Sequence, residues 1–265
     1  MPHNLKVIYF VAPDAAALAR KAARFFVEQT EQAVAAKGWA RIAISGGATP
    51  KAAFAALAEH GEPWRERMPW DKLDLYWVDE RCVPPDHPDS NYRMTREALL
   101  DHVPLSPKQI HRIEGELEPE EAAARYEAEL RNSFRLKGAK LPRFDLVALG
   151  MGPDGHTASL FPRTEALHET KRLATANYAA DKRMWRVTLT WPVINHASQV
   201  FFLLSGAEKA LILNEVFEGP RDVERLPSQL IVPADGILTL LLDEAAATLL
   251  PETDAQGCGI LERTE

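Results

Sequence analysis

The sequence predicts an α/β protein whose mainly parallel sheet is covered by helices on both faces. Three observations predict it. Strand-like and helix-like segments alternate along the chain. The clearest strands, residues 146–149, 199–204 and 237–242, are largely continuous apolar runs, as expected of strands buried on both faces. Several strands run directly into glycine-bearing or charged turns, and an open sheet of this kind has its ligand crevice at the carboxyl ends of its strands.

Taken in order, residues 5–11 read as a strand, and Pro13-Asp14 opens a long helix. Leu18, Ala22, Phe25, Gln29 and Ala33 recur there at helical spacing, with only Gln29 polar, and Gly38 ends the run. Residues 41–44 form a second strand that leads straight into Ser45-Gly-Gly-Ala-Thr-Pro50. Residues 51–58 then have helical composition, with Thr49 expected as cap and Pro50 in the first turn. Gly46 and Gly47 leave backbone N–H groups open, and a glycine-rich turn feeding a helix N-terminus is a ready anion site. The plainer alternative is an ordinary strand-to-helix turn. The P-loop pattern G-x-x-x-x-G-K-[ST] is absent.

Residues 73–78 form a third strand, ending in Asp79-Glu-Arg81. These three charges are either a solvated loop or part of the ligand crevice, where some would brace the others. Residues 83–89 are too proline-rich for a helix, and Ser90 caps a helix running from 91 towards 100. Residues 102–116 read as a connector. Glu118-Pro-Glu-Glu121 opens a helix that reaches about residue 136, followed by a basic turn at 137–140.

The most informative stretch is 144–162. Its strand, 146–149, is broken by Gly150, Gly152, Pro153 and Gly155, and the loop carries Asp154 and His156. A carboxylate two residues from an imidazole, at the carboxyl end of a strand, suits proton transfer. Residues 150–155 also fit G-x-G-x-x-G, but the few residues before Pro162 leave room only for a short helix. No clear βαβ unit follows, so a nicotinamide site is not expected.

Farther on, residues 173–178 suggest an edge strand and 186–190 a β-rich run, and Pro192-Val-Ile-Asn195 turns the chain. The strand 199–204 ends in Ser205-Gly206. The helix at 208–215 has Lys209 in its first turn, where the helix dipole disfavours a cation, so a bound anion or a partner carboxylate is expected there. Residues 226–231 form a short apolar segment, 237–242 the last strand, and an alanine-rich helix follows from Asp243. No repeat, linker or break in composition divides residues 1–265, so a single domain is expected.

Composition narrows the function. Apolar residues make up 46% of the chain and charged residues 26%, which is ordinary for a globular protein. A net charge of −7 argues against a nucleic-acid partner but leaves room for a locally positive site. The two cysteines, Cys82 and Cys258, form no C-x-x-C pair, which fits a reduced, cytoplasmic protein. The N-terminal residues lead into a strand rather than a signal-peptide core, and no apolar run approaches the length of a membrane span. The eight histidines include no H-E-x-x-H spacing, so no catalytic metal is expected, and His87 and His196 read as structural.

Four strand ends thus carry polar groups: residues 45–49, residues 79–81, Asp154 with His156, and Lys209. In a parallel sheet they share one edge, and the inventory suits a phosphorylated small molecule undergoing acid–base chemistry. These motifs, with Ser90-Asn-Tyr92, Asp154-Gly-His-Thr-Ala-Ser-Leu-Phe-Pro162 and Arg186-Val-Thr-Leu-Thr190, resemble the 6-phosphogluconolactonase family in order and spacing over nearly the whole chain. The resemblance implies a Rossmann-like three-layer α/β sandwich, shared with aminosugar-phosphate isomerases and deaminases. It implies hydrolysis of 6-phospho-D-glucono-1,5-lactone to 6-phosphogluconate in the pentose phosphate pathway, with no cofactor. The expected partner is the phosphorylated sugar lactone, with neither nucleic acid nor membrane, and the expected state is a monomer or small homo-oligomer.

By position, His156 matches the family's general base and Asp154 would orient or tune it. Gly46, Gly47 and Thr49 match the phosphate turn, and Arg81, Arg186 and Lys209 match cationic substrate-binding positions. Between Arg183 and Arg186, the residues alone leave open which reaches the phosphate. The chain departs from the family at Ala48, usually Ser, and at Arg163, usually Gly; the second position is expected to lie outside the substrate's contacts. An isomerase or deaminase would be expected to have Asn-Glu where this chain has Ser159-Leu160, and Tyr where it has Arg81. A sugar-phosphate-binding regulator would carry a basic DNA-binding segment, and none stands out.

Overall fold

The computed structural model describes residues 4–233, 237–254 and 256–264. Residues 1–3, part of the stretch on which the expected lack of a signal peptide rests, lie outside the described residues. The first strand, β1 (Asn4–Ala12), leads to α1 (Ala15–Lys37). Asp14 caps α1 by accepting the Ala17 N–H at 2.7 Å, and Gly38 closes it at φ 80°, donating to the Val34 carbonyl. The buried stripe of α1 is rotated from the expected one: Leu18, Ala22, Phe26 and Thr30 are buried, while Phe25, Gln29 and Ala33 lie at its margin. Phe25 still packs edge-on against Phe201, as does Phe26.

β2 (Ala40–Ile44) is followed by α2 (Ala48–Ala58) and the short α3 (Pro63–Arg67). β3 (Leu73–Trp77) runs on into β4 (Asp79–Arg81), and Ser90 caps α4 (Asn91–Ala98) through the Arg93 N–H. The stretch expected as a bare connector contains the two-residue strand β5 (Ile110–His111), and α5 (Pro119–Ser133) follows. β6 (Leu146–Leu149), β7 (Ala174–Ala179) and β8 (Met184–Leu189) come next. The segment expected as a turn at Pro192 is a short helix, α6 (Trp191–Asn195). β9 (Gln199–Leu204), α7 (Ala210–Phe217), β10 (Ile237–Asp243), α8 (Glu244–Ala247) and β11 (Cys258–Thr264) complete the described elements. The strand expected to be last is therefore not the last.

The main sheet has eight strands in the order β11-β1-β10-β9-β6-β2-β3-β5. All its neighbours pair in parallel except β11 with β1. Every residue of β6 is buried, whichever way it points, because helices flank the sheet on both faces. The second sheet is the main departure from the sequence reading. β4, β8 and β7 form an antiparallel three-stranded sheet, so Asp79-Glu80-Arg81 is a strand and not a loop. The Val78 carbonyl, between β3 and β4, accepts the Leu189 N–H at 2.7 Å and joins the two sheets. β4 thereby carries its side chains to the carboxyl edge of the main sheet.

One charged cluster at the β5 edge has no part in the site. The His111 ring stacks on Tyr76 with centroids 4.3 Å apart. Its Nδ1 lies 2.7 Å from Glu129 Oε1, and its Nε2 lies 3.7 Å from Asp74 Oδ1, an ion-pair distance too long for a hydrogen bond. Burial alone would lower the His111 pKa, but the two carboxylates outweigh it and hold it above the ordinary histidine value. A raised folded-state pKa means that this stabilisation is full below the unfolded-state value, about pH 6.5, and fades as pH rises through the folded-state value. The melting-temperature gap between wild type and His111→Phe, followed by scanning calorimetry, should therefore be widest below about pH 6 and narrow on the alkaline side. A gap that stays constant with pH would refute the ionised pairing.

Candidate active site

The carboxyl ends of β2, β6 and β9, together with β4 and β8, enclose a cavity of about 380 Å³. Gly46, Gly47, Thr49, Arg81, His156, Arg186 and Lys209 all line it, so seven residues carried by or following five separate strands meet in one place. Asp154 does not line it. It lies behind His156 and faces a separate groove beside Pro162 and Arg163.

The histidine loop is tied at several points. The Gly152 N–H donates to the His156 carbonyl at 2.9 Å, the Thr157 hydroxyl to the Gly150 carbonyl at 2.8 Å, and the Ser228 N–H to the Gly155 carbonyl at 2.9 Å. The Asp154 carboxylate takes the His156 backbone N–H at 3.2 Å, and its Oδ1 lies 2.5 Å from the ring Nδ1. Burial would raise the Asp154 pKa, but the hydrogen bond and charge of His156 win and hold it below the usual aspartate value. An ionised Asp154 fixes the proton on Nδ1 and leaves the Nε2 lone pair as the acceptor. Phe161 packs on the imidazole with ring centroids 4.4 Å apart and limits its rotation.

The glycine-rich turn differs in detail from the sequence expectation. Gly47, at φ 115°, is the N-cap of α2, while Thr49 lies inside the helix and does not cap it. The cavity wall here is the helix N-terminus itself, whose first N–H groups have no intrahelical acceptor. Gly46 is glycine for a packing reason: a Cβ there would lie 1.8 Å from Asn91 Oδ1. Ser45 Oγ, at the end of β2, is buried with no hydrogen-bond partner among the described residues.

Asp79, Glu80 and Arg81 have three different tasks. The Glu80 carboxylate accepts the backbone N–H groups of Arg81, Asn91 and Tyr92 and the Ser90 hydroxyl, so it anchors the start of α4. Burial holds its pKa above the usual glutamate value in spite of these bonds. Asp79 accepts the Ser159 hydroxyl at 2.6 Å and, through its backbone carbonyl, the Asn91 amide at 2.9 Å. Arg81 faces the cavity. It stands opposite Arg186 in the β4–β8 ladder, so two guanidinium groups sit abreast. Burial first, and Arg81 second, pull Arg186 below the ordinary arginine pKa, with Asp79, Glu80 and Asp89 pulling the other way. Like charges directly opposite one another destabilise a ladder, and an anion between them would relieve the repulsion.

Arg186 therefore faces the cavity, whereas the exposed Arg183, at φ 50°, lines another groove beside Cys82 and Trp185. Lys209 donates to the Met151 carbonyl at 2.9 Å, so its intramolecular partner is a backbone carbonyl and not a carboxylate, which was one of its two expected partners beside a bound anion. Sequence reasoning missed Asn91, Ser159, Lys182 and Glu208 as lining residues. Asn91 and Ser159 stood inside the quoted motifs, but only the fold shows them facing inward. Arg163, at φ 58°, occupies a left-handed position where glycine is the low-strain choice, and it lies outside the cavity as expected. Among the described residues no group of three His, Cys, Asp or Glu could hold a metal ion, and no helix is long and apolar enough to cross a membrane.

A Cβ on Gly152 would lie 2.1 Å from both Nδ1 and Cε1 of the His156 ring and 2.7 Å from Asp154 Oδ1. Gly152→Ala should therefore break the Asp154–His156 pair without unfolding the protein. The expected result is loss of the downfield Nδ1–H proton resonance with a melting temperature within a few degrees of wild type. Retention of that resonance would contradict the packing.

Residues 13–240 match the family model described as glucosamine-6-phosphate isomerases/6-phosphogluconolactonase. The chain is 42% identical over 221 residues to a 6-phosphogluconolactonase of Synechocystis sp., covering 83% of this chain and 89% of the relative. A 6-phosphogluconolactonase of Nostoc sp. is 41% identical over 241 residues, covering 91% and 97%. Among solved structures, the 6-phosphogluconolactonase of Trypanosoma brucei superposes with a TM-score of 0.80 at 31% identity, covering 92% of this chain and 98% of that one.

Proposed function

The chain belongs to the family of glucosamine-6-phosphate isomerases and 6-phosphogluconolactonases, and within it we propose that this protein is a 6-phosphogluconolactonase. It hydrolyses 6-phospho-D-glucono-1,5-lactone to 6-phosphogluconate, in the oxidative branch of the pentose phosphate pathway, with His156 as general base. The observation that carries this reading is the Asp154-oriented imidazole opening into a cavity lined by Arg81, Arg186 and the N-terminus of α2.

Each step uses a group in place. The phosphate lies among the first turn of α2, Arg81 and Arg186, where helix dipole and guanidinium charge add. His156 Nε2 takes a proton from water as the water oxygen attacks the lactone carbonyl. The tetrahedral intermediate collapses with cleavage of the bond between the carbonyl carbon and the ring oxygen. The imidazolium returns its proton to that oxygen, and Asp154 stabilises the cation in the interval. The acid so formed loses its proton to solvent, and the product leaves with a new carboxylate.

The test is lactone loss, corrected for spontaneous opening, with the lactone generated in situ. His156→Asn should lower kcat by about 10² to 10⁴. Arg186→Met should raise KM by at least about tenfold with a smaller effect on kcat, because it removes a charge-assisted phosphate contact. A His156→Asn enzyme within a few-fold of wild type would overturn the general-base assignment. Ammonia release from glucosamine 6-phosphate, without lactone hydrolysis, would replace the lactonase reading with the isomerase one.

A further inference from the structure

The cavity is electrically lopsided. Three of its four lysines and arginines, Arg81, Arg186 and Lys182, come from the three-stranded sheet and the hairpin joining β7 to β8, while the fourth, Lys209, is tied to the Met151 carbonyl. Its far wall is the turn after β9, which contributes Ser205, Glu208 and Lys209. β6, which leads into the histidine loop, lies between β2 and β9 in the sheet. Glu208 and the glycine-rich turn are therefore on opposite sides of His156.

Glu208 is held in a defined place. Gly206 has φ 102°, and a Cβ on it would lie 2.3 Å from Glu208 Oε2 and 2.6 Å from Oε1, so the carboxylate is folded over the bare glycine backbone. The turn beneath it is fixed by Asp243, which accepts the Ser205 hydroxyl and the Gly206 N–H. Lys209 is tied to the Met151 carbonyl in the histidine loop, which docks the whole turn against that loop. Glu208 itself has no ion-pair partner among the described residues.

A carboxylate is a poor choice in a site for an anionic substrate unless it acts on a difference between substrate and product. The lactone is uncharged at its reacting carbon, and hydrolysis places a carboxylate there. We infer that Glu208 is a specificity residue that repels this new carboxylate, so the cavity holds the lactone and releases the hydrolysed acid. The inference rests on the lactonase reading. With the phosphate on the α2 side, the reacting end of the sugar extends past His156 towards Glu208, and only the product brings a second negative charge to that wall.

The test is calorimetric titration of wild type and Glu208→Gln with two probes, 6-phosphogluconate and glucitol 6-phosphate. The second has the phosphate and the chain but no carboxylate. Glu208→Gln should bind 6-phosphogluconate about fivefold more tightly, as expected when one like charge is removed across a half-wet site. Its affinity for glucitol 6-phosphate should stay within about twofold of wild type, since that probe has no carboxylate to repel. Unchanged affinity for 6-phosphogluconate, or an equal gain for both probes, would overturn the inference, because Glu208 would then either not repel the product or repel only the phosphate that both probes share. Failure of the lactonase reading is separately visible, as wild type that binds neither probe and does not accelerate lactone loss.

Discussion

The buried carboxylate of Asp79 is the point on which the site depends. It accepts the Ser159 hydroxyl from the histidine loop, while its own backbone carbonyl accepts the amide of Asn91 at the start of α4. Asn91 in turn fills the space over Gly46, beside the turn into α2. One residue of β4 thus joins the histidine loop, the small sheet and the glycine-rich turn. A buried charge costs free energy unless its hydrogen bonds are complete, and removing a partner from such a group is more harmful than never having built it. The geometry between His156 and the N-terminus of α2 is therefore set by contacts that need not touch a substrate.

The same strand carries the site's other tension. Arg81 and Arg186 are ladder partners, each with a buried Nε that finds no protein acceptor, in a chain whose net charge is −7. The fold tolerates two adjacent cations because Asp79, Glu80 and Asp89 lie close enough to pull Arg186 back towards its charged form. An oxyanion with several acceptor sites satisfies such a pair better than water does, since both guanidinium groups can bond to it at once. Local positive charge in an acidic protein needs no basic surface, only a ladder register that sets arginine opposite arginine.

Much of this was legible beforehand, and for definite reasons. The strands at 146–149, 199–204 and 237–242 are apolar on both faces, and only burial under two layers of helices makes such runs sensible. The Asp154–His156 pair was legible because both members sit on one glycine-broken loop, two residues apart. The three-stranded sheet was not, since β4 is three charged residues whose partner, β8, lies about a hundred positions later, and no local periodicity encodes that pairing. Thr49 had the right chemistry for a cap, but Gly47 takes the cap position with a positive φ that threonine would resist. Asn91 and Glu208 were invisible for a related reason: each is placed against a glycine, Gly46 distant in sequence for Asn91 and Gly206 folded beneath Glu208, and only the fold shows that placement.

Glycine is thus put to two opposite uses around the cavity. At Gly47 it provides a backbone conformation, so the helix can begin where its N–H groups face inward. At Gly46 and Gly152 the backbone needs no unusual torsion, and the glycine is instead a cut-out into which Asn91 and the Asp154–His156 pair fit. A motif of glycines near a strand end is often read as room for a ligand. Here two of them make room for the protein's own polar side chains, and those side chains then orient the groups that face the ligand. Preorganisation of this kind stabilises a developing charge because the dipoles are already aimed, at a cost met during folding rather than during the reaction.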